Sequence, residues 1–219
     1  MRRSRSRLRA LACALAAGGG CGTPATPARP AAPICPTDHA VVLASRADVA
    51  RTAGCTTLAG VVIRSGAALD TSALRALVTI TGDLLIGPTV GIQEVSLGEL
   101  RVVEGAIRVH NNGLLQGLFL PRLERAGSID IDGNVAITTI SLPRLASVGG
   151  ALRITANMSL ELIDTPQLQS IAQDLVITGA PQLTLLEAPQ LKSAAGVQLE
   201  ASKLPSELVD RLRATPAAP

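Results

Sequence analysis

Five residues near the middle of the chain are of types that do chemistry, and they recur at a fixed spacing. Arg108 and His110, Asp130 and Asp132, and then Arg153 follow one another at intervals of 22 or 23 residues. Residues two apart on a strand point to the same face, so each pair presents its two side chains together. Two carboxylates on one face can share a hard cation or divide into a general acid and a general base. The competing reading is structural. Opposite charges on neighbouring strands favour one another by up to about 1 kcal/mol and help to fix register. The neighbourhood favours the structural reading: no long insertion walls a cleft, no aromatic sugar platform stands by, and no further acids cluster there. The chain is therefore expected to be no enzyme, with no catalytic residue, cofactor or metal. Arg108, His110, Asp130, Asp132 and Arg153 are at most a surface binding patch.

The cysteines carry a second kind of chemistry. Cys13 and Cys21 lie in or beside a segment with a basic start (Arg2, Arg3, Arg5, Arg7, Arg9), an apolar run from Leu8 to Ala17 and then Gly18, Gly19 and Gly20. Such a segment reads as an export signal, residues 1–20, because the apolar run is too short to span a membrane. Cys21 after small residues resembles a bacterial lipoprotein signal, which implies a lipidated N-terminus at Cys21. Ordinary cleavage near Ala17 is the other reading, and Gly18 departs from the leucine usual in that family. With Cys21 lipidated, Cys35 and Cys55 remain, an even number for an oxidising compartment, and a disulfide between them is expected to pin an N-terminal cap. His39 has too few companions for a zinc site.

The elements that position these residues are repeats. Leu77, Leu100, Leu123, Leu145, Leu168 and Leu191 recur every 22 or 23 residues. Columns in the same register hold Ile92, Leu115, Ile137, Leu160 and Leu183; Val95, Leu118, Ile140, Ile163 and Leu186; and Ile86, Val109, Ile131, Ile154 and Ile177. A fixed period of this length marks a solenoid. Within each copy the pattern alternates, as in Leu152-Arg153-Ile154, which is a half-buried strand. Pro121, Pro143, Pro166 and Pro189, two before the key leucine, exclude a helix there and fit a corner. Gly82, Gly105, Gly127 and Gly150 precede the next strand, where backbones approach closely. Asn112, Asn134 and Asn157 fall in one column; they form either an amide ladder between coils or a simple turn preference. The expected fold is all-β, a right-handed parallel β-solenoid of 22–23-residue coils with short helical caps. About 4.8 Å per coil over six or seven coils makes a rod of roughly 30 Å.

The run Leu145-Ala-Ser-Val148-Gly-Gly150-Ala-Leu152-Arg-Ile154-Thr-Ala-Asn157 resembles the receptor L-domain type of leucine-rich β-helix repeat, which also occurs in bacterial envelope proteins. The resemblance covers roughly residues 55–203 and speaks for fold more than for task. Separately, acids, arginine and histidine on an outer face resemble polysaccharide lyases built on parallel β-helices. That resemblance implies the alternative function, a carbohydrate-active enzyme using the Asp130/Asp132 patch.

Composition narrows the partners. Hydrophobic residues make up 47% of the chain, yet there is no Trp, no Tyr and a single Phe, Phe119. The core must be aliphatic, and base-stacking platforms for single-stranded nucleic acid are missing. Five of the 20 basic residues lie within the first nine positions; without them the 17 acidic residues outnumber the basic ones, so no nucleic-acid partner is expected.

Residues 21–37 are rich in Pro and Ala and read as an extended linker. Residues 38–54 form an N-terminal cap, with Ala40 to Ala44 and Ala47 to Ala50 read as short helix, and residues 55–203 form the solenoid. Outward columns place Phe119, Leu162 and Leu185 on a flat sheet as exposed apolar groups. Residues 204–219 supply a cap helix from Pro205 to Arg213, with Leu204, Leu208 and Leu212 as its apolar stripe, and a loose tail. The expected task is non-enzymatic: a cell-envelope lipoprotein, outer-membrane-anchored or otherwise periplasmic or secreted, whose solenoid serves protein or glycan recognition or a structural role. Its expected partners are a membrane, through the lipid, and envelope proteins or glycans.

Overall fold

The computed structural model describes residues 32–200 and 203–217. The repeated aliphatic columns wind into a parallel β-solenoid of about 7 turns. Each middle coil contributes strands to three faces. The broad face follows the order Ala40–Leu43, Gly60–Ile63, Leu84–Ile86, Val102–His110, Arg125–Asp132, Leu152–Thr155, Leu175–Thr178 and Val197–Leu199. A second face stacks Glu94–Ser96, Gly117–Phe119, Thr139–Ser141, Leu162–Asp164 and Leu185–Glu187. A third, narrow face is built from two-residue strands such as Ser147–Val148 and Ser170–Ile171, and it joins the broad face through the long strands Val102–His110 and Arg125–Asp132.

All strand pairs named here are parallel, and the key columns are in register: Ile129 pairs with Leu152 and Leu152 with Leu175, while Leu118, Ile140 and Ile163 pair in turn. Leu77, Leu100, Leu123, Leu145 and Leu168 are buried, in one continuous aliphatic core with the columns that flank them. Full burial of each such side chain stabilises the fold by about 1.5–3 kcal/mol, so the stacked columns outweigh any exposed polar pair.

The corners need special residues. A Cβ on Gly105 would stand 2.6 Å from the backbone of Gly82 and 2.3 Å from the Asp83 carboxylate, and one on Gly127 would stand 2.3 Å from the Glu104 carbonyl. The coils therefore touch where glycine removes the side chain. The coil from Leu100 to Leu123 is one residue longer than the next. The surplus is taken up as a bulge between Val103 and Ala106, which face Ala126 and Ser128.

The asparagine column is a ladder. Asn134 Oδ1 accepts from the backbone N–H (3.2 Å) and the amide Nδ2 (2.8 Å) of Asn112, and Asn157 Oδ1 accepts the same pair from Asn134 at 3.1 and 3.2 Å. Each amide nitrogen also donates back one coil, to the carbonyls of Ile86, Val109 and Ile131. Thr89 opens the ladder, its hydroxyl donating to Asn112 Oδ1 at 2.8 Å, and Ala180 occupies the column in the coil after Asn157. The residues just before the three asparagines, Asn111, Gly133 and Ala156, hold φ values of 55°, 65° and 52°. The tight turn is thus made one position earlier, and the asparagine bridges coils.

The ends depart from the repeat. Ala40–Leu43, expected as helix, is the first strand and pairs with Gly60–Ile63. Val41 and Val42 are β-branched and pack better on a pleated surface than in a helix. Helix α1 (Arg46–Thr52) follows, started by a reciprocal capping box between Ser45 and Asp48. Thr71, just before the 3-10 turn Ser72–Leu74, closes the free edge of the second face. Its hydroxyl accepts from the Ser96 N–H at 3.2 Å and lies 3.3 Å from the Ser96 carbonyl, as a neighbouring strand would. Helix α2 (Ser206–Arg213) covers the far end, with Leu212 buried and Leu204 and Leu208 packed on the core. Arg211 and Arg213 reach the carbonyls of Ala188 and Leu199.

Replacing Asn134 by Ala takes the shared acceptor from the Asn112 N–H and Nδ2 in the interior, and removes one amide donor from the Val109 carbonyl and from Asn157 Oδ1. Urea unfolding is expected to show a loss of about 3 kcal/mol. A loss below about 0.5 kcal/mol would mean that the ladder is ornamental.

Candidate functional site

The alternating strands Val102–His110, Arg125–Asp132 and Leu152–Thr155 bring the five sequence-selected residues to the outer side of the broad face. Arg108 stands opposite Asp130, Asp130 opposite Arg153, and His110 opposite Asp132. Their contacts differ from a simple ladder of ion pairs. Arg108 bonds to Asp83 at 2.9 Å, and the other Asp83 oxygen accepts the Ala106 N–H at 2.8 Å. Asp132 accepts from the Thr155 hydroxyl. Among the described residues Asp130 forms no ion pair with Arg108 or Arg153, and no three His, Cys, Asp or Glu side chains gather closely enough to hold a metal ion. The register holds as expected, but the rotamer of Arg108 carries its charge towards the corner. These residues lie side by side on an open sheet and do not converge on one point.

The expected disulfide is present. Cys35 and Cys55 are joined, with Cα atoms 5.4 Å apart. It closes the segment leading into the first strand and α1 against the first coil, and the Ile34 N–H donates to the Arg51 carbonyl beside it. Cys21 and residues 1–20, which the sequence led us to expect as an export signal, lie outside the described residues. No helix among the described residues is long and apolar enough to cross a membrane.

Carboxylates near this end are held below their usual range. For Asp48 the Ser45 hydroxyl is the main cause, followed by the Ala44 N–H. For Asp70 the cause is Ser72 beside it. For Asp38 it is the hydrogen bond from His39, at 2.7 Å. Because these pKa values are depressed by folding, the contacts help the fold above the ordinary carboxylate range and fade as acid protonates them.

Asp70, Thr71 and Ser72 line a groove of about 430 Å³ with Arg46, Gln93 and Glu94, beside the capped edge of the second face. A shallower, broader depression of about 650 Å³ lies on the narrow face, between Arg125, Arg144, Ser147 and Gln167. Sequence reasoning did not single out these arginines. Their signal was available in the columns beside the key leucine, where Arg122 and Arg101 have acids one coil away and Arg125 and Arg144 have none one coil away in their own columns.

Phe119 is half-buried because its ring lies over Gly117; a Cβ there would stand 2.3 Å from the ring. Leu162 is half-buried as well, leaving Leu185 as the exposed member of that set. A longer apolar ridge follows the asparagine ladder instead: Val90, Leu114, Val135 and Met158 are 66%, 49%, 54% and 53% exposed. In three of those coils the ridge residue directly follows the ladder position, a regularity visible in the sequence.

Compared with protein-family models, with curated proteins and with solved structures, the chain matches none.

Two outcomes are expected from substitution. Replacing Cys35 and Cys55 together by Ser removes a crosslink over a 20-residue separation and lowers stability by about 3 kcal/mol in denaturant titration; an unchanged midpoint would show that the cap holds without it. Replacing Asp130 and Asp132 by Asn shifts stability by less than about 1 kcal/mol, and a collapse of the melting transition would contradict the open-face geometry.

Proposed function

We propose that the protein is a non-enzymatic component of the cell envelope, anchored by a lipid on Cys21, whose solenoid is a rigid surface for recognising protein or glycan partners or for a structural role. One observation carries this reading. Among the described residues of the middle coils, each turn has the same build, and none carries an insertion that folds over an outward face to exclude water. Catalysis by acid and base requires groups that converge on a reacting atom and a site that keeps water in order, whereas an even, stiff face is suited to binding along its length. The Cys35–Cys55 bond supports an oxidising compartment, which fits export. The asparagine ladder and the stacked aliphatic columns supply rigidity, since the ladder ties each coil to the next by side-chain amides as well as by backbone.

The reading is tested in cells and with pure protein together. Feeding an alkyne-bearing fatty acid should label the mature protein in the membrane fraction, and Cys21→Ser should abolish the label. Incubating polygalacturonate, alginate or peptidoglycan with the pure protein should release no new reducing ends or fragments. Depolymerisation that disappears in the Asp130→Asn, Asp132→Asn variant would replace this reading with an enzymatic one.

A further inference from the structure

The narrow face differs from the other two in its charge. Arg101 bonds to Glu124 at 3.1 Å, and Arg122 pairs with Glu99. These two pairs use up both carboxylates of the flanking columns. Arg125 and Arg144 are exposed and, among the described residues, have no carboxylate within ion-pair distance. Both line the same depression of about 650 Å³, together with Ser147, Gln167 and the already paired Glu124. Beyond it the face carries no acid in its leucine-flanking columns. Ser147, Ser170 and Ser193 succeed one another in register, with their hydroxyls outward because Val148, Ile171 and Ala194 point into the core. Gln169 and Lys192 flank that row.

We propose that this face binds a linear glycan bearing carboxylates, laid across the coils, with one carboxylate held between Arg125 and Arg144. The proposal rests on the surface-recognition reading above and names the class of ligand. Guanidinium groups recognise carboxylate through paired N–H donors. The row of hydroxyls and amides continues away from the arginines at the strand spacing of about 4.8 Å, close to the length of one sugar residue in an extended chain, so each coil meets one sugar with donors and acceptors. Nucleic acid is disfavoured on the same ground that favours a sugar: the face has no aromatic ring on which a base stacks. A buried peptide is disfavoured by the polarity of the row and by its shallowness.

Polygalacturonate, its methyl ester and polyphosphate are suitable probes, each titrated against the full chain at two salt concentrations. Polygalacturonate is expected to bind, more weakly in higher salt, and the ester at least tenfold more weakly than the acid. The variant Arg125→Gln, Arg144→Gln should lose at least tenfold in affinity at an unchanged melting temperature. The charge-matched variant Arg64→Gln, Arg75→Gln, on other coils, should bind as the parent does. Equal binding of acid and ester, equal loss in both variants, or tighter binding of polyphosphate than of polygalacturonate would each overturn the proposal, as would no binding at all. Failure here leaves the envelope reading to its own fractionation and labelling test, so the two failures are distinguishable.

Discussion

Everything in this fold depends on vertical register, the stacking of each residue on its counterpart one coil away. A parallel solenoid has no other way to pair its backbone, because each strand finds its partners in the coils above and below. Once Ile140 pairs with Ile163 and Leu118 with Ile140, the side chains of a column share one environment along the rod. That environment is narrow and dry, so the columns are filled with Leu, Ile and Val, and aromatic rings are almost missing from the chain. It also lets polar groups inside only as a chain that satisfies itself. Asn112, Asn134 and Asn157 meet that condition, since each carboxamide accepts from one neighbour and donates to another, and no buried side-chain polar atom among the described residues lacks a partner. An isolated asparagine at the same depth would cost about 1–3 kcal/mol.

Register also explains the ends. A stack of parallel strands terminates in open edges that invite further pairing. The N-terminal side is finished by a strand, Ala40–Leu43, a disulfide and a short helix, and the second face is finished by the single hydroxyl of Thr71. The C-terminal side is finished by α2, whose arginines bond to carbonyls of the last coils. None of these devices repeats, because each meets a different edge.

What could be read from the sequence follows the same division. The aliphatic columns, the glycine corners, the asparagine column and the C-terminal helix were legible because period or local pattern marks them. The Cys35–Cys55 pair was legible from cysteine arithmetic. Ala40–Leu43 was not, because a short apolar run at the edge of a sheet lacks a repeat on one side to give it register. The partner of Arg108 was not, because register fixes which Cα atoms face each other and leaves a long side chain free to choose Asp83 over Asp130. The importance of Arg125 and Arg144 was hidden for a related reason. The columns show that the two lack an acid one coil away, but only the structure shows that Arg101 and Arg122 take Glu124 and Glu99.

The most direct test adds one period to the stack. Residues 146–168 run from one key leucine to the next, and duplicating them in tandem inserts a whole coil, while duplicating 146–156 inserts part of one. If coils are interchangeable units in vertical register, the first variant unfolds cooperatively in urea at a midpoint no lower than the parent, and the second has no cooperative transition. Equal tolerance of both insertions, or loss of folding in both, would contradict the account.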